Sequence, residues 1–212
     1  MYLVTCTRPD LAFSVSYLSR FSSHPVVGHH AAVKRVFRYR AGTRSMSLKY
    51  KRSPTSVPSS IVAFSDSDYA SCRDTRRSVS GYASMLNGCA ISWLSKKSQS
   101  VPSSTTEAEY MALATTSRQA VWYLYPFTQL GYTIPITMMA DNTSSINMAE
   151  NPINNAQRKH IDVASHFTTE HFIRKSFTLS YVPSKDNTAD LMTKGLNSVA
   201  HHAHTQRRGS SE

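Results

Sequence analysis

The spacing of apolar positions along this chain changes rhythm after its first quarter. Over residues 10–21, Leu11, Val15 and Leu18 recur at helical spacing, and over 25–40, Ala32, Val33, Val36 and Phe37 repeat the pattern. Gly42 stops the second run, 47–50 fits a short strand, and the Pro/Ser-rich run 53–60 reads as a linker. Beyond it the period shortens. Residues 61–66, 78–86 and 89–94 are β-prone runs parted by turn signals, and Asn87-Gly88 predicts a hairpin between the last two. A long helix is predicted over 103–124, a buried strand over 136–140, helices over 143–149 and 159–173, a strand over 178–182 and a last helix over 187–194. Three strands followed by helix–strand alternation call for an α/β fold with a mixed sheet flanked by helices, because parallel neighbours need a crossover. Residues 197–212 are polar and His-rich without an apolar period, so a disordered tail is expected there.

Composition narrows the class. With 40% hydrophobic and 17% charged residues the chain fits a soluble globular domain, and no run approaches the ~20 apolar residues of a membrane span. No basic-then-apolar leader follows Met1, so an intracellular location, cytoplasm, nucleus or virus-like particle, is expected. Cys6, Cys72 and Cys89 have no paired spacing, which argues against a disulfide framework and a structural zinc site.

Charge adds a partner class. The net charge of +11 suits a polyanion such as nucleic acid, although a solvated basic surface has the same composition. The excess is uneven: Asp10 is the single acid in residues 1–52, against a run of bases that includes Lys34, Arg35, Arg38, Arg40 and Arg44. That asymmetry separates a basic helical segment, 1–52, from the unit at 61–196.

The candidate chemistry lies in four acids at the ends of predicted elements. Asp66 ends the first strand of the second unit, Glu109 sits in the first turns of the long helix, Asp141 follows the strand at 136–140, and Asp190 lies in the last helix. Carboxylates are the ligands that Mg²⁺ prefers, and paired ions activate water and stabilise a leaving oxygen in phosphodiester hydrolysis. A lone Asp at an element end is more commonly a cap or turn, which is how Asp68, Asp74 and Asp162 are read. Glu107 fits a capping box with Ser104. Glu107 and Glu109 border opposite sides of the expected buried stripe of Tyr110, Leu113, Ala114, Ser117, Val121 and Leu124, so helical geometry does not choose between them. His160, His166 and His171 share one predicted helix without a nearby Cys, and are read as packing or solvent-facing residues.

Several motifs occur together in one order: Thr7-Arg8-Pro9-Asp10, Lys34-Arg35 through Gly42-Thr43, Ser65-Asp66-Ser67-Asp68, Ser80-Gly81-Tyr82, Ala90-Ile91-Ser92-Trp93, Thr106-Glu107-Ala108-Glu109-Tyr110, Asp141-Asn142, Lys159-His160-Ile161-Asp162, and Ala189-Asp190-Leu191-Met192-Thr193-Lys194. In this the chain resembles the ribonuclease H domain of copia-type retrotransposon polyproteins, with 1–52 similar to the segment that joins it to the reverse transcriptase. The resemblance implies a ribonuclease H-like five-stranded mixed sheet, and two Mg²⁺ ions, with Mn²⁺ as a substitute, held by Asp66, Glu109, Asp141 and Asp190. It thereby selects Glu109 over Glu107. It implies cleavage of the RNA strand of an RNA:DNA hybrid, with the reverse transcriptase part of the same polyprotein as a further partner. Arg73, Arg76, Arg77, Lys96 and Lys97 are the candidates for gripping phosphates.

The chain departs from that family at five positions. His30 stands where Trp is usual, Arg40 where Leu is usual, and Cys72 and Tyr69 replace a common Asp and Trp. Pro126 interrupts the long helix and is expected to kink or stop it, because proline lacks the amide donor. The departures at His30, Arg40 and Pro126 favour a rival expectation, an inactive remnant that binds nucleic acid or acts as a spacer for a polymerase, whereas Cys72 and Tyr69 are not metal ligands in this reading.

Overall fold

The computed structural model describes residues 2–50, 60–72, 74–151, 162–207 and 210–211. Helices α1 (Tyr2–Cys6), α2 (Ala12–Ser19) and α3 (Val27–Gly42) are followed by the two-residue strand β1 (Ser47–Leu48). Strands β2 (Ile61–Asp68), β3 (Val79–Leu86) and β4 (Cys89–Lys97) then form an antiparallel meander. Next come helix α4 (Thr105–Gln129), strand β5 (Ile136–Ala140), helices α5 (Thr143–Glu150) and α6 (Asp162–Ile173), and strand β6 (Thr178–Tyr181). The chain closes with α7 (Asp190–Thr193), α8 (Ser198–Arg207) and β7 (Ser210–Ser211).

The main sheet has five strands in the order β4-β3-β2-β5-β6, with β5 parallel to β2 and β6 parallel to β5. This is the ribonuclease H-like mixed sheet. The β3–β4 turn is made by Asn87 at φ +50 and Gly88 at φ +78, the doubly positive geometry that an Asn-Gly hairpin supplies at low cost.

Helices cover both faces of the sheet. On one side, Tyr110, Leu113, Ala120 and Tyr123 of α4 close over Ile61, Ala63, Ile136 and Met138 in the larger core. The buried stripe of α4 is displaced from the expected one: Ala120 and Tyr123 are buried, while Val121 and Leu124 are only partly so. A bond between the buried hydroxyls of Ser117 and Thr168, 3.0 Å long, joins α4 to α6. On the other side, Leu11 and Ala12 meet Ala83, Leu191 and Met192 in a second core.

The basic N-terminal segment therefore docks on the sheet. The Trp93 indole donates to the Val4 carbonyl at 2.7 Å, and Ser16 Oγ donates to the Ser95 carbonyl at 3.0 Å. Arg8 and Asp10 form a buried pair at 2.7 Å, and the Arg8 guanidinium also reaches the carbonyl and hydroxyl of Thr43, which ties the first turns to the end of α3. Helix α3 itself is loosely held. None of its residues is buried, and His30 and Arg40 are exposed at the positions where the family's usual Trp and Leu are missing.

Several expectations need correction. Pro126 does not stop α4, which runs on to Gln129, because a proline so close to the C-terminal end sacrifices only one of the last intrahelical bonds. The last helix over 187–194 shrinks to Asp190–Thr193, since Asn187 and Thr188 are committed to a turn. The tail is not featureless. Helix α8 forms within it, with His201 set edge-on to Tyr39 and near the Asp10 carbonyl at 3.2 Å, while Ser210–Ser211 pairs with Ser47–Leu48. Its one-sided contacts use His and Thr rather than aliphatic residues, so an apolar periodicity could not reveal them. Residues 159–161 of the predicted helix, and His160 with them, lie outside the described residues.

Candidate metal centre

The parallel pairing of β2 with β5 brings the C-terminal ends of two strands side by side, and it is at such ends that ligands gather in open α/β sheets. Asp66 projects from β2, where it is almost fully buried. Asp141 follows Ala140 at the end of β5. Its position is fixed by the next residue, Asn142, whose side-chain oxygen accepts the Ser145 amide at 2.9 Å and so caps α5. Glu109 comes from the second turn of α4. One carboxylate oxygen from each of Asp66, Glu109 and Asp141 lies within 4.8 Å of the other two.

The start of α4 separates the two glutamates. Ser104 Oγ accepts the Glu107 amide at 3.2 Å, as a capping box requires, but the Glu107 carboxylate accepts the Ser103 amide at 2.7 Å, one residue earlier than the box predicts, together with the Ser103 hydroxyl. Glu107 is thus spent on the cap, and Glu109 enters the cluster.

The electrostatics are those of carboxylates short of positive charge. Burial, then the neighbouring Asp66 and Asp141, push the Glu109 carboxyl up to about 9. Burial likewise raises Asp66 to about 7; Lys194 and the Thr193 hydroxyl draw it down, while Asp190 and Asp141 push it up. The Glu109 Oε2 atom is buried without a hydrogen-bond partner. An orphaned carboxyl oxygen in an all-carboxylate donor set fits a hard divalent cation such as Mg²⁺.

Asp190 lies outside that group of three but shares a lysine with Asp66. It is buried on α7, and its Oδ1 lies 2.9 Å from Lys194 Nζ, which is also 3.7 Å from Asp66 Oδ2. Several residues outside the predicted set hold α7 here. Asn187, fully buried, donates to the Ser65 carbonyl at 2.9 Å and accepts the Ala189 amide, and the Thr193 hydroxyl donates to Asp66. Gly81 faces α7: a Cβ at that position would overlap Met192 and meet Thr193 Cγ2 at 2.9 Å. The i,i+4 spacing of Asp190 and Lys194 was the sequence signal for the ion pair; nothing in the sequence signalled Gly81's role.

The basic candidates lie at the same end of the sheet. Lys97 pairs with Val79 and Lys96 with Ser80, near the level of Asp68 and Ser67 across β3, and Lys96 and Arg76 are exposed. Arg77 is partly exposed in the β2–β3 connection, and Arg73 lies outside the described residues. His171 contacts the Ser176 hydroxyl and the Phe167 ring, a packing role. Cys6, Cys72 and Cys89 are all free thiols. Among the described residues no helix is long and apolar enough to cross a membrane.

No protein-family profile matches the chain. It is 35% identical over 195 residues to the retrovirus-related Pol polyprotein from transposon TNT 1-94 of Nicotiana tabacum, an alignment covering 92% of this chain and 14% of that polyprotein. It is 47% identical over 122 residues to a secreted RxLR effector protein of Plasmopara viticola, covering 58% of this chain and 84% of the effector. Among solved structures, the N-terminal ribonuclease H domain of a Mycobacterium tuberculosis protein superposes with a TM-score of 0.45 at 17% identity, covering 70% of this chain and 97% of that one.

Proposed function

We propose that the chain, which aligns over 92% of its length with about a seventh of retrovirus-related Pol polyproteins, is the ribonuclease H segment of a copia-type retrotransposon polyprotein and hydrolyses the RNA strand of RNA:DNA hybrids with the help of two divalent ions. The observation that carries the reading is the convergence of Asp66, Glu109 and Asp141, far apart in sequence, within 4.8 Å. Asp66, Glu109 and Asp141 would hold one ion, and Asp66 with Asp190 the other. When bound, such ions supply an activated water and charge stabilisation for the leaving oxygen. The protein's own contribution is to keep Asp66 dry and fixed by the Thr193 hydroxyl, and to keep one Glu109 oxygen, Oε2, free of hydrogen bonds.

Arg76, Arg77, Lys96 and Lys97 would take the hybrid's phosphates, and the reverse transcriptase part of the polyprotein would be the natural partner, in a virus-like particle or the cytoplasm. A second reading, a chain that binds hybrid without cutting it, is favoured by the Lys194 ammonium, which already engages Asp190 and Asp66.

Incubation of the purified chain with a labelled hybrid tests the proposal. Cleavage that requires Mg²⁺ and vanishes both on chelation and in Asp66→Asn supports it. A product yield equal to that of Asp66→Asn at every Mg²⁺ concentration refutes it.

A further inference from the structure

The Lys194 ammonium bridges two of the acids, lying 2.9 Å from Asp190 Oδ1 and 3.7 Å from Asp66 Oδ2. This is not a loose surface pair. Asp190 and Asp66 are both buried, while the Lys194 side chain is about a third exposed, so the cation can withdraw to solvent where the anions cannot. The backbone beneath is equally fixed: α7 presses on Gly81, Asn187 anchors its approach through the Ser65 carbonyl, and Thr193 bonds to Asp66.

We infer that Lys194 is a built-in cation standing at the second metal position, so that the carboxylates take one divalent ion directly and a second only by displacing the ammonium. The inference rests on the nuclease reading above and gives Lys194 a positioning role in it. Charge supports the division. Asp66, Glu109, Asp141 and Asp190 carry four negative charges when ionised, which two divalent ions would neutralise only once the ammonium has moved away. With Lys194 in place, one ion at Asp66, Glu109 and Asp141 leaves a single negative charge, and a second would overshoot. Lys194 thus holds Asp190 and Asp66 in register while the second ion is absent, and makes occupancy of the second position depend on ion concentration.

The experiment is a Mn²⁺ titration of the whole chain without nucleic acid, followed by the electron-paramagnetic signal of free Mn²⁺. It compares the wild type with Lys194→Met, which keeps the length without the charge, and with Lys194→Arg, which keeps the charge. The expected result is one ion bound readily by the wild type and Lys194→Arg, and a second bound at least about tenfold more tightly in Lys194→Met than in either. Wild-type and Lys194→Met curves that superimpose with bound ions overturn the inference while leaving the nuclease reading intact. Absence of Mn²⁺ binding in all three chains overturns both. A thermal melt of each variant accompanies the titration, and restoration of wild-type binding by Lys194→Arg separates a charge effect from a folding defect.

Discussion

Gly81 stands opposite Asp66 in the antiparallel β2–β3 register, and its missing side chain is what lets α7 lie against the sheet. The same contact places Asp190 and Lys194 beside Asp66. A methyl group there would have to displace Met192 and Thr193, whose neighbours are already packed. Gly81→Ala is therefore expected to cost about 1–3 kcal/mol in stability, the usual scale of overpacking. It should also weaken binding at the Asp66–Asp190 position more than at the three-carboxylate group. Denaturant unfolding and Mn²⁺ titration measure the two effects; an unchanged midpoint with unchanged binding would refute the role given to this glycine.

Removing one charge from the cluster should have opposite effects on stability and on turnover. Glu109→Gln eliminates a half-buried carboxyl whose Oε2 is buried without a hydrogen-bond partner and that faces Asp66 and Asp141. At neutral pH the metal-free variant is expected to melt at a higher temperature than the wild type, since folding no longer has to take up a proton at a carboxyl raised to about 9. Its cleavage of hybrid should fall by at least about a hundredfold, the scale of losing one electrostatic contact to a transition state. Calorimetry and a single-turnover cleavage assay check the pair.

Raised carboxyl groups set the sign of the pH dependence. Asp66 rises from 3.8 to about 7 and Glu109 from 4.5 to about 9, so the metal-free folded chain binds protons that the unfolded chain releases. These two groups contribute stability that is fully present below about pH 4 and is lost as pH climbs through 7 towards 9. Divalent ions favour the deprotonated carboxylates, so Mg²⁺ should flatten the decline and release protons on binding. Melting temperatures measured from pH 5 to 9 with and without Mg²⁺, in this protein and in Glu109→Gln, test the sign.

The buried pair of Arg8 and Asp10 predicts a separate loss. Both side chains are nearly inaccessible, and Arg8 also serves Thr43 through two bonds, so Arg8→Met leaves the buried Asp10 carboxylate without its guanidinium and frees the end of α3. The expected cost is about 3–5 kcal/mol. Proteolysis should then nick the 20–50 region first, and equal protection of wild type and variant would contradict the assignment.

Which of the acids matter was partly legible in the sequence. Asp66 and Asp141 lie at the ends of strands whose apolar pattern is plain, and Asn87-Gly88 marked its hairpin, because period and turn chemistry are local properties. Glu109 was not distinguishable from Glu107 by helical geometry; the bond of Glu107 to Ser103 distinguishes them, and it depends on how the chain enters α4.

The order of strands and helices over residues 61–182, the mixed-sheet class and a list of candidate acids that still held both Glu107 and Glu109 follow from local pattern alone, since a side chain's facing direction is set by the backbone period beneath it. The closeness of Asp66, Glu109 and Asp141, the ammonium of Lys194 against Asp190, the glycine under α7 and the ordered α8 were decided only by tertiary packing. Each of these joins residues widely separated along the chain or depends on space left by a neighbour, and neither distance through space nor empty volume is encoded in any single stretch of sequence.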